Sequence, residues 1–220
     1  MSINIENLGA VLFDMDGTLV DSMWMWGEID REFLEKRGIE YDDIFQADIE
    51  GLSYMETLRY MKKMYPVEES IEEMADIIND MARDKYEFEV TYKPGALDFL
   101  KECKKAGIPC GIATSNNRDL IEACDRNLKF SEYISVIKTA DEVGKNKPEP
   151  DCYLLAARDL NVPPEKCVVF EDIIPGIQAG KAAGMRVYAV KDDYSKDIED
   201  EKRKLADGFI SDYHELLSID

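Results

Sequence analysis

Short apolar runs of strand length recur along the chain, and the first of them, Ala10-Val11-Leu12-Phe13, ends abruptly in Asp14. Consecutive apolar residues without alternation are the pattern of a strand covered on both faces, which is the situation in a parallel sheet. Runs of the same kind return at 108–113, 133–137, 166–170 and 186–190, with a weaker Gly208-Phe209-Ile210 near the end. Helical patterns lie between them. One covers 96–106, with Leu97, Leu100 and Cys103 on one face and Gly107 as its stop; another covers 152–160 and is closed by Pro163-Pro164. Alternation of this kind predicts an α/β fold built on a Rossmann-like parallel sheet, because parallel neighbours need a crossover between them.

Residues 19–92 break the alternation. They offer helix signals without a convincing strand: Ile29 and Phe33 continue a face begun at Met23 and Trp26, and Ser53-Tyr54-Met55-Glu56 and Ser70-Ile71-Glu72-Glu73 both fit the S-x-x-E capping box. After the second box, Ile71, Met74, Ile78 and Met81 hold helical spacing. A mostly helical domain inserted after the first strand is therefore expected at 19–92, with 1–18 and 93–220 forming the core. Lys93-Pro94-Gly95 reads as the hinge at its return.

Composition narrows the function. Lys and Arg number 27 against 47 Asp and Glu, a net charge of -20 that repels polyphosphate backbones, so nucleic acid is not expected as a partner. The first residues lack a basic, apolar leader and no apolar run reaches membrane-spanning length, so a cytoplasmic, monomeric protein with no membrane partner is expected. The five cysteines are widely spaced without a C-x-x-C, which disfavours a disulfide framework or a zinc site and suits reduced thiols. His214 is the single histidine and sits in what reads as a short, solvated terminal helix, so chemistry that needs a histidine base has almost nothing to use. The charged run from 191 to 204 reads as a solvated loop and helix face.

Acids cluster where strands end. Asp14 and Asp16 alternate on an extended segment, so their side chains can share one pocket, and Gly17 then allows a sharp departure. On its own this pair also fits a loop acid followed by a helix cap. A second pair, Glu171-Asp172, ends the apolar run Val168-Val169-Phe170. Ligands of open α/β sheets bind at the carboxyl ends of strands, and buried unpaired charges are costly, so two acid pairs at two strand ends point to a shared cation. Oxygen-only donors suit Mg²⁺, which keeps several waters and accepts substrate phosphate. Thr114, Ser115 and Asn116 end another apolar strand with small groups suited to phosphate oxygens, a pattern also common in ordinary loops. Lys147, in the stiff segment Lys147-Pro148-Glu149-Pro150, could hold an ammonium near the acids or simply lie in a surface turn.

Taken in order, Asp14-x-Asp16-Gly17-Thr18, Thr114, Lys147-Pro148-x-Pro150-Asp151 and Glu171-Asp172 with Gly176 and Ala179 resemble the four motifs of the haloacid dehalogenase superfamily. The resemblance covers nearly the whole chain, including the helical insert, and is nearest to the subgroup of β-phosphoglucomutase and small-molecule phosphatases. It implies Asp14 as nucleophile toward phosphorus, Asp16 as general acid and then base, Lys147 as the cation steadying nucleophile and phosphate, and Thr114, with Ser115 and Asn116, as phosphate-binding. It also implies Mg²⁺ held by Asp14, Asp172, Glu171 and Asp16, the last through its backbone carbonyl. The expected substrate is a small phosphorylated metabolite, possible chemistries being hydrolysis or, as the alternative, a sugar-phosphate mutase reaction. The dehalogenases of the superfamily lack the second acid, which Asp16 supplies, and its phosphonatases need a cap lysine, which Gly51-Leu52-Ser53-Tyr54 does not provide. Trp26 and Tyr54 stand near the places where the mutases carry histidine and arginine. Trp24, Trp26 and Tyr54 are accordingly candidates to close over the leaving group with aromatic faces.

Overall fold

The computed structural model describes residues 8–41 and 54–217. In chain order, strand β1 (Ala10–Phe13) is followed by β2 (Val20–Asp21) and then by helices α1 (Met23–Glu35), α2 (Tyr54–Met64) and α3 (Ile71–Phe88). The chain returns through β3 (Thr91–Tyr92) to α4 (Ala96–Lys105), β4 (Cys110–Thr114), α5 (Arg118–Leu128), β5 (Ile134–Thr139), α6 (Ala140–Val143) and α7 (Asp151–Asp159). It ends with β6 (Cys167–Glu171), α8 (Ile174–Ala182), β7 (Arg186–Val190), α9 (Glu199–Leu205), β8 (Gly208–Ile210) and α10 (His214–Leu217).

Six of these strands form one sheet in the order β5-β4-β1-β6-β7-β8, and every ladder in it is parallel. β1 has β4 on one side and β6 on the other, so the winding reverses beside it. Loops that leave the carboxyl ends of β1, β4 and β6 diverge there and open a crevice. The alternation of side chains sorts the core into two layers. Val11, Phe13, Ile112, Val168 and Phe170 meet α4 and Tyr213 on one face, while Leu12, Ala113, Val169 and Val187 meet Tyr153, Ala156 and Ile177 on the other. Phe13 stacks on Phe170 with ring centroids 5.5 Å apart, and Phe99 and Tyr213 pack around the pair.

The segment between β1 and α4 departs from expectation in one respect. Its entry and exit pair as a short antiparallel ribbon, Val20 against Tyr92 and Asp21 against Thr91. Two-residue strands leave no periodicity to read, and the pairing is tertiary. Helix α3 starts from the capping box foreseen at Ser70 and Glu73: the Glu73 amide donates to the Ser70 hydroxyl at 3.2 Å and the Ser70 amide to the Glu73 carboxylate at 2.7 Å. The other box rests on Ser53, which lies outside the described residues.

A second departure concerns the charged run 191–204. Asp192, Ser195 and Lys202 in it are buried, Lys202 completely. The Lys202 ammonium donates to the Val190 carbonyl at 3.1 Å and to the Ser195 hydroxyl at 2.8 Å, which in turn donates to the Asp172 carbonyl at 3.0 Å. Asp192 pairs with Lys93, just after β3, at 2.9 Å. The run is otherwise mostly exposed, as expected for a solvated loop and helix face, but these three residues turn inward and support the β6 loop; alternating charges conceal which of them do so. All five cysteines are free and buried, and His214 is exposed at the start of α10. Among the described residues no helix is long and apolar enough to cross a membrane.

Candidate active site

The crevice is lined first by the carboxylates. Asp14 directly follows β1 and its amide donates to the Phe170 carbonyl at 3.0 Å, so the pairing of β1 with β6 carries on into the acid. Glu171 is the last residue of β6 and Asp172 follows it. Oxygens of Asp14, Glu171 and Asp172 all lie within 4.8 Å of one another, and the three side chains are buried. The Lys147 ammonium donates to both Asp14 and Glu171.

Each acid is held differently. Glu171 accepts from the Tyr153 hydroxyl at 2.9 Å and from the amides of Asp172 and Ile173 at 3.0 and 3.3 Å, so both of its oxygens are engaged by the protein. It lies so close to Gly176 that a Cβ there would sit 1.8 Å from the carboxylate. Asp172 accepts from the Thr18 hydroxyl at 2.8 Å. Its other oxygen would be 2.5 Å from a Cβ at Gly17, whose φ of +76° also favours glycine. The glycines after the two acid motifs are thus close-approach positions.

Electrostatics in the cluster are unbalanced. Burial, then repulsion from Glu171 and Asp16, push the Asp14 carboxyl up to about 7 against the opposing pull of Lys147. Burial, with Glu171 and Asp14 adding to it, pushes Asp172 well above the usual carboxylate range. Burial alone would lower Lys147, but Asp14 and Glu171 outweigh it and hold the ammonium charged. With all three acids ionised, one ammonium would leave two unit charges uncompensated, and the raised Asp14 and Asp172 carboxyls are the consequence. A cluster of hard oxygen donors with a deficit of two positive charges fits a divalent cation such as Mg²⁺.

Asp16 belongs to the other side of the crevice. Its carboxylate is not one of the clustered three. It accepts from the Ser22 hydroxyl at 2.6 Å, from the Tyr86 hydroxyl at 2.5 Å and from the Asn116 side-chain amide at 3.0 Å, and Asn116 also donates to Tyr86 at 2.8 Å. Ser22 lies at the start of α1 and Tyr86 in the last turns of α3, so the helical segment grips this acid from two helices. The Asp16 carboxylate thus faces Ser22, Tyr86 and Asn116 and is not one of the three clustered acids around Asp14.

The expected phosphate binders also separate. Thr114 ends β4, is buried, and its hydroxyl accepts from the Asn116 amide at 3.0 Å; Ser115 is exposed at the tip. Asn116 turns its side chain to Asp16. Trp24 is 37% exposed, its indole N-H donates to the Asp21 carbonyl at 2.8 Å, and Lys85 lies 5.2 Å from its ring. The first contact ties the start of α1 to the ribbon and the second ties it to α3. Trp26 is partly buried against the larger apolar cluster that the helical segment shares with one face of the sheet. Tyr54 begins α2, but its side chain lies outside the described residues, as do Gly51, Leu52 and Ser53.

Ser22, Tyr86 and Tyr153 were not foreseen. Tyr86 continues the row Met74, Ile78, Ala82 on α3, where four-residue spacing reads as core. Tyr153 likewise sits on the buried face of α7. Only their hydroxyls distinguish them from packing residues.

A family model described as haloacid dehalogenase-like hydrolase matches residues 11–190. The bifunctional riboflavin kinase/FMN phosphatase of Arabidopsis thaliana is 33% identical over 86% of this chain, which spans about half (50%) of that protein's length. The phosphorylated carbohydrates phosphatase of Thermotoga maritima is 33% identical over 82% of this chain and 84% of its own. Among solved structures, CbbY from Rhodobacter sphaeroides in complex with phosphate superposes with a TM-score of 0.80 at 28% identity, covering 95% of this chain and 96% of that one.

Proposed function

This chain belongs to the haloacid dehalogenase-like hydrolase family, and from that premise we propose that it is a Mg²⁺-dependent phosphatase of a small phosphomonoester, a phosphorylated sugar being the substrate class. The observation that carries the reading is the convergence of Asp14, Glu171 and Asp172, with Lys147 paired to the first two and the Asp16 carboxylate held apart by Ser22, Tyr86 and Asn116. The name of the Thermotoga relative supports the substrate class.

Asp14, through one carboxylate oxygen, attacks phosphorus as the bond from phosphorus to the ester oxygen breaks, leaving an aspartyl-phosphate. Asp16 supplies the proton that the departing alkoxide takes up. Water then attacks the same phosphorus, Asp16 recovers a proton from it, and Asp14 is released with inorganic phosphate. Three donors on Asp16 keep its carboxylate aimed into the crevice through both steps, and Lys147 orients Asp14 and offsets charge on the phosphoryl oxygens. Thr114, with Ser115, receives those oxygens at the tip of β4. Mg²⁺ would be held by Asp14 and Asp172, with the Asp16 carbonyl, and when bound supplies charge neutralisation between nucleophile and phosphate. Glu171, already saturated, positions Lys147 and the β6 loop.

In this reading residues 19–92 form a cap over a core of 1–18 and 93–220, and the β2–β3 ribbon is their hinge. The five buried thiols suit a cytoplasmic setting. A panel of phosphorylated metabolites, assayed with Mg²⁺ and with chelator, tests the proposal. Release of inorganic phosphate from a sugar phosphate in Mg²⁺ alone is expected; interconversion of phosphate isomers without release would make it a mutase, and no turnover of any ester would overturn it.

A further inference from the structure

Helix α1 lies against the catalytic loop: Ser22 donates to Asp16 at 2.6 Å, and the Met23 side chain would be 3.1 Å from a Cβ at Gly17. Helical spacing puts Gly27 and Asp30, four and seven residues beyond Met23, on the same stripe. Among the described residues a Cβ at Gly27 would meet nothing within 4 Å, so with respect to them the stripe is open one turn beyond Met23. At its far end Asp30 is 8% exposed and, among the described residues, has neither hydrogen bond nor ion pair. We infer that Met23, Gly27 and Asp30 line a subsite for the leaving group, with the Asp30 carboxyl accepting hydrogen bonds from hydroxyls of a polyol or sugar. This rests on the phosphatase reading above and names the part of the substrate that the cap recognises.

The energetics favour a ligand over a folding role. A buried carboxyl without a partner opposes folding, and an apolar residue at the same place would pack without that penalty. Burial alone raises Asp30 to about 7, with no cation among the described residues to offset it. A phosphate would be repelled from such a group, so the phosphoryl end stays with Asp14 and Lys147 and the donor-rich end faces Asp30. An aryl leaving group brings no hydroxyl to it.

The test compares wild type, Asp30→Asn and Asp30→Leu on a hexitol phosphate, a hexose phosphate and p-nitrophenyl phosphate. Removing a hydrogen bond to a charged group leads us to expect a kcat/KM loss for the better sugar ester, mostly in KM, that exceeds the loss for the aryl ester by about 10-fold or more. Asp30→Asn, which still accepts, should lie between, and neither variant should lower Tm. Equal losses on all esters, or none, would overturn the subsite. Calorimetric affinity of the same sugar esters for Asp14→Asn, with and without Asp30→Leu, decides the matter independently of turnover. Weaker binding with Asp30→Leu supports the subsite even if the wild type releases no phosphate. Unchanged affinity, or no binding in either protein, rejects it.

Discussion

The sheet edge and the helical segment meet at one crevice but manage charge in opposite ways. At the edge, three buried carboxylates are crowded together and partly answered by Lys147. In the helical segment, Ser22 and Tyr86 give neutral hydroxyls to Asp16, and Asp30 is left with no partner among the described residues. The difference separates tasks: a fixed, high-charge wall suits phosphoryl transfer, whereas a wall of neutral donors and one open acceptor can recognise the rest of a substrate.

The largest effect should come from the edge. Asp14→Asn removes the nucleophile, and turnover should fall by on the order of 10³-fold or more, because the groups of such a site act as a unit. Steady-state phosphate release checks it; activity near wild type would detach Asp14 from the chemistry. Next, Lys147→Met leaves the clustered acids without their ammonium, and removing one partner of a buried pair typically destabilises by about 3–5 kcal/mol. Protonation of Asp14 and Asp172 can relieve part of that, so the fall in Tm in chelator should be larger at about pH 8 than at about pH 5. An equal fall at both would mean that the acids are not coupled to Lys147.

On the helical side the effects should be smaller. Tyr86→Phe deletes one of three donors to Asp16 and should lower kcat by about 10-fold with KM nearly unchanged, a small part of what acid-base catalysis can contribute. A change confined to KM would move Tyr86 from positioning Asp16 to binding substrate. The last contrast is in stability against pH. Asp30 titrates at the ordinary 3.8 when unfolded and about 7 when folded, so the folded chain binds more protons between those values and stability falls as pH rises through them. Asp30→Asn lacks this decline. Its Tm advantage over wild type should therefore be greater at about pH 8 than at about pH 5.

The same contrast governs what could be read before the structure. Asp14, Glu171 and Asp172 stand at the ends of apolar runs, and parallel pairing carries such ends to one edge, so their meeting follows from chain order and pattern. The stiff loop of Lys147 leaves open a surface turn or an ammonium near the acids, and only the family resemblance points to the second. Tyr86 and Tyr153 were not legible, because four-residue spacing on a helix reports burial and is silent on which neighbour a hydroxyl reaches. Lys202 was hidden among alternating charges, and the β2–β3 ribbon is too short to carry a period. Asp30 interrupts the apolar face of α1 in sequence, but only packing shows that nothing among the described residues answers it.

Direct titration of the chelator-treated protein with Mg²⁺ by calorimetry, for wild type and Asp172→Asn, goes to the centre of the account. One ion bound per wild-type chain, with binding lost or severely weakened in Asp172→Asn, is the expected result. No heat of binding in the wild type, or equal affinity in both proteins, would contradict a cation site shared by the ends of β1 and β6.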